Sequence, residues 1–209
     1  MGRLIDAVTI DAYGTLVELE DPVPRLRAAL ARRGVERTRE EVAAAFEAEL
    51  EYYAAHRLEG RDDATLAQLR ADCAGVFLRA AGVDLGGAEF SDEFQAALVF
   101  EPLPGAREAL GRLRSLGLAL GVVSNWDCGL EEHLERLGLR AQLNVVVTAA
   151  EAGVEKPDPE IFRIALERLE TPAERALHVG DAAADEEGAR RAGMGYAPPP
   201  LADLPDWLA

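Results

Sequence analysis

The sequence is nearly devoid of lysine. Of its 22 Lys and Arg residues, only Lys156 is a lysine. A single compact ammonium in so arginine-rich a chain indicates a place that a planar guanidinium would not fit. Cysteine is also scarce, and the wide separation of Cys73 and Cys128 excludes a disulfide framework and a cysteine-based metal site. No apolar run is long enough to span a bilayer and no signal peptide is recognised, so we expect a cytoplasmic protein.

Positive charge is deficient overall. The 38 acidic residues outnumber the 22 basic ones and leave a formal net charge of −16. Such a charge repels phosphate backbones and anionic lipid surfaces, so we expect neither a nucleic-acid partner nor a membrane partner. A small anionic substrate meets the same repulsion. Its site therefore needs local positive charge from a metal ion, a lysine or backbone amides.

The two ends of the chain have the pattern of an α/β core. An apolar, β-branched strand is predicted at residues 7–10. Three further predicted strands alternate with helices in the second half of the chain, at 118–123, 143–147 and 176–179. Strands that alternate with helices indicate a doubly wound parallel sheet. No internal repeat interrupts this order.

The residues between these ends show helical periodicity only. Thr38, followed three residues later by Glu41, predicts the start of one helix. The expected buried face of that helix contains Val42, Phe46, Leu50 and Tyr53. We therefore predict an α/β fold in which residues 1–16 and 99–209 form a Rossmann-like, doubly wound parallel sheet. An all-α helical cap, residues 17–98, is inserted after the first strand.

Polar residues follow the ends of the predicted strands, which is where open parallel sheets bind ligands. The first is Asp11, at the start of the string Asp-Ala-Tyr-Gly-Thr-Leu. The others, in chain order, are Ser124 with Asn125, Lys156, and the acid pair Asp181 and Asp185. Each alone has an ordinary structural explanation, such as a turn cap or a solvated surface charge. Four such groups in this order indicate one site. His178, by contrast, lies inside an apolar predicted strand and is expected to be a core residue.

The order and spacing of these motifs resemble those of the haloacid dehalogenase superfamily over nearly the whole chain. The resemblance implies a hydrolase in which Asp11 attacks phosphorus and forms an aspartyl-phosphate, so that hydrolysis proceeds in two steps. It also implies a Mg²⁺ site made of Asp11, the backbone carbonyl of Tyr13, and Asp181 or Asp185. Oxygen ligands of this kind suit Mg²⁺.

The same resemblance implies how the substrate is held. Ser124 and the backbone amides around Tyr13 and Asn125 would bind phosphoryl oxygens, and Lys156 would neutralise charge between the nucleophile and the phosphate. Thr15 would tighten the loop that supports the site. These roles predict a Mg²⁺-dependent phosphohydrolase that acts on a small phosphorylated metabolite.

Tyr13 departs from the pattern of the family's phosphatases, which have a second Asp at this position as general acid and base. A phenol donates a proton but is a poor base near neutral pH, so activation of the hydrolytic water is affected as well. We therefore expect slow turnover or a preference for good leaving groups.

Two other functions are compatible with the sequence. The string beginning at Asp11 resembles the first motif of 2-haloacid dehalogenases, in which the Asp displaces halide in a metal-free SN2 step without a proton donor. Against this function, Asp181 and Asp185 would crowd Asp11 unless a cation lay between them. The second alternative is a weakly active or inactive binding or regulatory module, because Tyr13 replaces the usual acid. The sequence specifies neither the substrate nor the oligomeric state.

Overall fold

The computed structural model describes residues 5–208 and divides into two compact units. One unit contains the chain up to Glu18 and from Glu101 onwards, and the other contains Leu19–Phe100. The two observed boundaries lie two residues beyond those expected after residues 16 and 98. No helix within residues 5–208 combines the length and the apolar character needed to cross a bilayer.

Residues 5–208 form seven strands and ten α-helices. The strands are β1 (Ala7–Ile10), β2 (Val17–Leu19), β3 (Phe100–Pro102), β4 (Ala119–Ser124), β5 (Val145–Thr148), β6 (Ala176–Val179) and β7 (Gly195–Ala197). The helices are α1 (Val23–Arg32), α2 (Arg39–His56), α3 (Asp63–Ala80), α4 (Gly87–Ala97), α5 (Ala106–Ser115), α6 (Leu130–Arg136), α7 (Ala149–Ala152), α8 (Pro159–Arg168), α9 (Ala183–Arg191) and α10 (Leu204–Leu208).

A five-stranded parallel sheet in the order β5-β4-β1-β6-β7 organises the first unit. All four residues of β1 are buried, including the polar Thr9, as expected for a central strand that is covered on both faces. The chain adds β4 and β5 on one side of β1 and then β6 and β7 on the other. This reversal at β1 creates a crevice at the carboxyl ends of the strands, where ligands bind in open sheets. The predicted α/β class and parallel sheet are confirmed.

A second, two-stranded sheet is formed by β2 and β3. Neither strand was predicted from the sequence. Each has three residues, which is too short for an apolar alternation to be recognised.

Helices α1 to α4 form the second unit around their own apolar core. Three phenylalanines lie at its centre and are fully buried: Phe77, Phe90 and Phe94. The ring of Phe77 lies 5.2 Å from that of Phe94 and 6.2 Å from that of Phe90, within the range of favourable aromatic pairs. The helix start predicted at Thr38 is confirmed, because Thr38 and Glu41 exchange the two hydrogen bonds of a capping box.

The buried face of α2 differs from the prediction at one position. Val42 and Phe46 are buried, but Leu50 is 45% exposed and Glu49 is buried in its place. A helix turns by about 100° per residue, so a residue seven positions after Val42 returns to within about 20° of it, and the eighth lies about 80° away. The core therefore includes the carboxyl group of Glu49, which the sequence analysis did not identify.

Candidate active site

Three neighbouring strands bring polar side chains to one edge of the sheet. Asp11 follows β1, Ser124 is the last residue of β4, and Asp181 lies two residues beyond the end of β6. The position of β1 between β4 and β6 accounts for this convergence. The backbone N–H of Asp11 donates to the carbonyl of Val179 at 2.8 Å, which extends the pairing of β1 and β6 to the site itself.

The Lys156 ammonium lies between two carboxylates. Its Nζ donates to Asp11 Oδ1 and to Asp185 Oδ1, each at 2.5 Å. The Ser124 hydroxyl also donates to Asp11 Oδ1, at 3.1 Å. Lys156 and Asp11 are 7% and 6% exposed and Asp185 is fully buried, so Lys156 is not a solvated surface charge. Buried charges require partners, and this ammonium has two.

Asn125 holds the segment that contains Lys156. Its Oδ1 accepts from the backbone N–H of Lys156 at 2.7 Å, and its Nδ2 donates to the carbonyl of the same residue at 3.1 Å. Both ends of the Asn125 amide are therefore used within the protein. We expect the backbone amide of Asn125 to bind a phosphoryl oxygen. These side-chain contacts do not test that role, so it stays a prediction.

The predicted acid pair divides into a buried and an exposed member. Asp185 Oδ2 accepts from the backbone N–H of Ala182 at 3.0 Å, which caps the start of α9. A Cβ on Gly180 would lie 2.3 Å from the Asp185 carboxyl carbon, so only glycine allows this carboxylate its position. Asp181, by contrast, is exposed.

Three carboxylates of the site are close enough to share a cation. Asp11, Asp181 and Asp185 each offer an oxygen, and the three oxygens lie within 4.8 Å of one another. Lys156 contributes one positive charge to this group. If all three acids are ionised, their negative charges therefore outnumber the positive charge by two. An all-oxygen donor set of this kind fits a hard divalent cation such as Mg²⁺.

The loop after β1 depends on Gly14. Its φ of +81° lies in the left-handed region that favours glycine, and a Cβ there would lie 2.4 Å from an Asp181 carboxylate oxygen. On either side of it, the Tyr13 side chain is 54% exposed and Thr15 is buried. Thr15 Oγ1 has no hydrogen-bond partner among residues 5–208. The supporting role of Thr15 therefore stays a prediction.

Burial and charge set the protonation of the site in different directions. Burial raises the pKa of Asp11 above 3.8, against the charge of Lys156, and the negative charge of Asp185 raises it further. Burial also disfavours ionised Asp185, but the hydrogen bond from His178 and the charge of Lys156 outweigh it and lower the pKa to about 2. For His178, burial lowers the pKa below 6.5. At neutral pH Asp185 is thus ionised, His178 is neutral, and added positive charge would favour the carboxylate of Asp11.

The sequence analysis missed the contacts that His178 makes with this site. His178 is fully buried, as expected, but its Nε2 lies 3.0 Å from Asp185 Oδ1 and its Nδ1 lies 2.8 Å from Thr9 Oγ1. One signal was available: Thr9, on β1, is two residues before Asp11, and side chains two residues apart along an extended chain lie on one face of the sheet.

Comparisons with known proteins agree on a family. Residues 5–193 match the sequence model of the haloacid dehalogenase-like hydrolases. The haloacid dehalogenase-like hydrolase domain-containing protein 3 of Mus musculus is 41% identical over 104 residues, which are 49% of this chain and 41% of that protein. A glyceraldehyde 3-phosphate phosphatase of Methanopyrus kandleri is 42% identical over 96 residues, which are 45% of this chain and 41% of the phosphatase.

A solved structure matches over a larger share of the chain. The L-2-haloacid dehalogenase from Xanthobacter autotrophicus aligns with a TM-score of 0.71 and 23% identity, over 98% of both chains. Identity at this level shows a common fold. The chain spans about two fifths of the length of the two relatives named above, so their similarity concerns part of each protein.

Proposed function

Because the chain belongs to the haloacid dehalogenase-like hydrolases, we propose that it is a Mg²⁺-dependent phosphohydrolase that forms an aspartyl-phosphate on Asp11. The observation that supports this most directly is the cluster of Asp11, Asp181 and Asp185 beside one lysine. Three acids so close together need a cation to remain ionised together, and a phosphorylated substrate adds further negative charge. The phosphatase name of one relative supports the same reaction class.

Asp11, Asp181 and the backbone carbonyl of Tyr13 would hold the Mg²⁺. Asp185 is less available for direct ligation, because its Oδ1 accepts from Lys156 and His178 and its Oδ2 accepts from a backbone amide. When bound, the ion would offset the negative charge of the carboxylates and polarise a phosphoryl oxygen.

The chain's own residues orient the nucleophile. Lys156 and Ser124 both donate to Asp11 Oδ1, and no described residue donates to Oδ2, so Oδ2 is the oxygen available to attack. The bond between Asp11 Oδ2 and phosphorus would form as the bond between phosphorus and the leaving-group oxygen breaks. Water would then attack the phosphorus of the aspartyl-phosphate and release inorganic phosphate and the Asp11 carboxylate. Lys156 would stabilise the charge that develops between these oxygens.

Tyr13 would limit which substrates react. Its exposed phenol stands where the family's phosphatases have an acid, so the leaving oxygen would receive its proton from a phenol or from water. Substrates with weakly basic leaving groups, such as acyl phosphates, would react fastest. The net charge of −16 disfavours a nucleic acid or a membrane surface as the substrate, and the negative charge of a small metabolite would be offset locally by Lys156 and Mg²⁺.

A substrate panel tests the proposal. Acetyl phosphate, p-nitrophenyl phosphate and 2-chloropropionate are each offered with Mg²⁺ and with a chelator, to the unaltered chain and to Asp11→Asn. We expect phosphate release that needs Mg²⁺ and is lost in Asp11→Asn but kept in Asp84→Asn, a change at an exposed acid of the helical unit.

Each alternative has its own result in this panel. Halide release in the presence of chelator would replace the proposal by metal-free dehalogenation. Binding of Mg²⁺ and a phosphate analogue without turnover of any substrate, combined with phosphatase activity in Tyr13→Asp, would identify a binding module.

A further inference from the structure

A chain of buried hydrogen bonds runs from the site back into the sheet. Asp185 Oδ1 accepts from Lys156 Nζ at 2.5 Å and also contacts His178 Nε2 at 3.0 Å. His178 Nδ1 in turn lies 2.8 Å from Thr9 Oγ1. Thr9, His178 and Asp185 are all fully buried, so solvent does not compete for these contacts.

We propose that Thr9 and His178 are positioning residues that hold Asp185, and through it the Lys156 ammonium, beside Asp11. Neither residue lies in the motifs that identified the site. Their contacts with each other and with Asp185 support the proposal.

The direction of each hydrogen bond follows from the groups involved. Lysine ammonium only donates, and the Asp185 carboxylate only accepts, so the Nε2 of His178 must have the ring hydrogen. The other nitrogen of a neutral imidazole is an acceptor, and the Thr9 hydroxyl therefore donates to Nδ1. Without this hydroxyl, the buried Nδ1 would lack its partner, and one of the two hydrogen bonds that hold the His178 ring would be lost.

The sheet itself fixes the positions of these side chains. Thr9 on β1 and His178 on β6 are partners in the parallel register, and Asp11 follows two residues after Thr9 on the same face. Phe162 packs edge-on against the His178 ring, with centroids 4.9 Å apart and an interplanar angle of 84°. A Cβ at Gly188 would lie 2.4 Å from Phe162, so glycine leaves the space that this phenylalanine occupies.

A neutral donor behind Asp185 has a specific advantage. The lysine stem is long and flexible, so the position of the ammonium depends on the two carboxylates that it contacts. His178 steadies one of them without adding a positive charge that would compete with Lys156. Groups that orient a site's charged residues from behind typically change activity by about 10- to 100-fold when they are removed.

The single lysine of the chain allows a direct test. In protein labelled with [ε-¹³C]lysine, a ¹³C–¹H correlation spectrum contains one lysine Cε signal, that of Lys156. The spectra are recorded without metal, so they report on the position of Lys156 whether or not the chain hydrolyses phosphate. The variants are Thr9→Val and His178→Leu, which remove the hydrogen bonds, and His178→Gln, whose amide N–H can still donate to Asp185.

Thr148→Val is the matched control. Thr148 is also fully buried, at the end of a strand of the same sheet. Its hydroxyl accepts from the backbone N–H of Glu151 and takes no part in the hydrogen bonds that connect Thr9, His178 and Asp185 to Lys156. We expect the Lys156 signal to shift or broaden in Thr9→Val and His178→Leu. It should remain near its original position in His178→Gln and Thr148→Val, even where the melting temperature falls.

A kinetic measurement accompanies the spectra and rests on the proposed function. With Mg²⁺ and acetyl phosphate, we expect His178→Leu to lose about tenfold or more in kcat with little change in KM, and His178→Gln to recover most of it. An unchanged Lys156 signal in folded Thr9→Val and His178→Leu would overturn the proposal, and Thr9→Val decides alone if His178→Leu does not fold. Altered signals in a chain that lacks phosphatase activity would support the positioning role and reject the proposed reaction.

Discussion

Asn125 and Lys156 are joined by a closed pair of hydrogen bonds, in which the Asn125 amide bonds both the N–H and the carbonyl of Lys156. The pair connects the residue after β4 to the loop before α8, 31 positions later in the chain. A side chain that satisfies both backbone groups of one residue fixes the direction in which that residue points. Lys156 is thereby directed toward Asp11 by its backbone as well as by its charge.

Asn125→Ala tests this connection. Two hydrogen bonds of ordinary net strength contribute about 1–3 kcal/mol, so the free energy of unfolding should fall by that amount. Because the Lys156 segment loses its anchor, phosphatase turnover should fall by about tenfold. Urea unfolding and steady-state kinetics measure the two effects.

Asn144→Ala is the control for this prediction. Asn144 Oδ1 accepts from the backbone N–H of Leu120 at 2.9 Å, so the same substitution again removes a contact between a side chain and the backbone. We expect a loss of stability with turnover preserved. Equal losses of turnover in the two variants would contradict a specific role of Asn125.

Substitution of Lys156 should affect both stability and activity. Lys156→Ala leaves Asp11 and Asp185 buried without their shared cation, and breaking such a buried pair costs about 3–5 kcal/mol. Part of this loss should return on addition of Mg²⁺. Turnover should fall by about 100-fold or more, as for other preorganised charged donors.

Lys156→Arg separates size from charge. A guanidinium is larger and planar, so it should fit poorly between the two carboxylates, and we expect most of the turnover to be lost. Arg163→Ala, at an exposed position of α8, should leave turnover unchanged. Wild-type activity in Lys156→Arg would mean that the space between Asp11 and Asp185 accommodates a guanidinium as well as an ammonium.

Part of this site was predictable because Asp11, Ser124 and Asp181 lie at or just after strand ends, whereas Lys156 lies in the loop before α8 and Asp185 lies in α9. The apolar strands and the polar residues that follow them are local patterns, and their order placed Asp11, Ser124, Lys156 and the two acids at one edge. The contact between Thr9 and His178 joins residues 169 positions apart and depends on strand register. A histidine in an apolar strand gives no local sign of such a partner.

The wrong prediction for Leu50 has a different physical origin. Hydrophobic periodicity assumes that apolar side chains cover the core, whereas the geometry of α2 turns position 49 inward whatever residue occupies it. Leu50 and Glu49 are adjacent, so an error of one position exchanges an exposed leucine for a buried acid.

Glu49 should make stability depend on pH. Burial raises the pKa of this carboxyl from 4.5 to about 7, although a hydrogen bond with Cys73 opposes the shift. Between pH 4.5 and 7 the folded chain retains a proton that the unfolded chain has lost, so stability falls as pH rises through this window. A shift of this size corresponds to a loss of about 3 kcal/mol, which is complete above pH 7.

Urea unfolding at several pH values, followed by circular dichroism, measures the effect of Glu49. In Glu49→Gln the decline between pH 4.5 and 7 should be reduced by about that amount, because the amide does not ionise. Glu47→Gln, at an exposed position of the same helix, should retain the decline. Identical pH profiles for the two variants would show that Glu49 is ionised at little cost in the folded chain.

Gly14→Ala should weaken metal binding through Asp181. An alanine at φ +81° is strained by about 1–2 kcal/mol, and its Cβ would also lie 2.4 Å from the Asp181 carboxylate. Gly34→Ala is the matched control, since Gly34 has a φ of +78° and no atom within 4 Å of an added Cβ. Both variants should lose comparable stability from backbone strain. Only Gly14→Ala should displace Asp181, and isothermal titration with Mg²⁺ should show weaker binding for it than for Gly34→Ala; equal affinities would remove Asp181 from the proposed ligands.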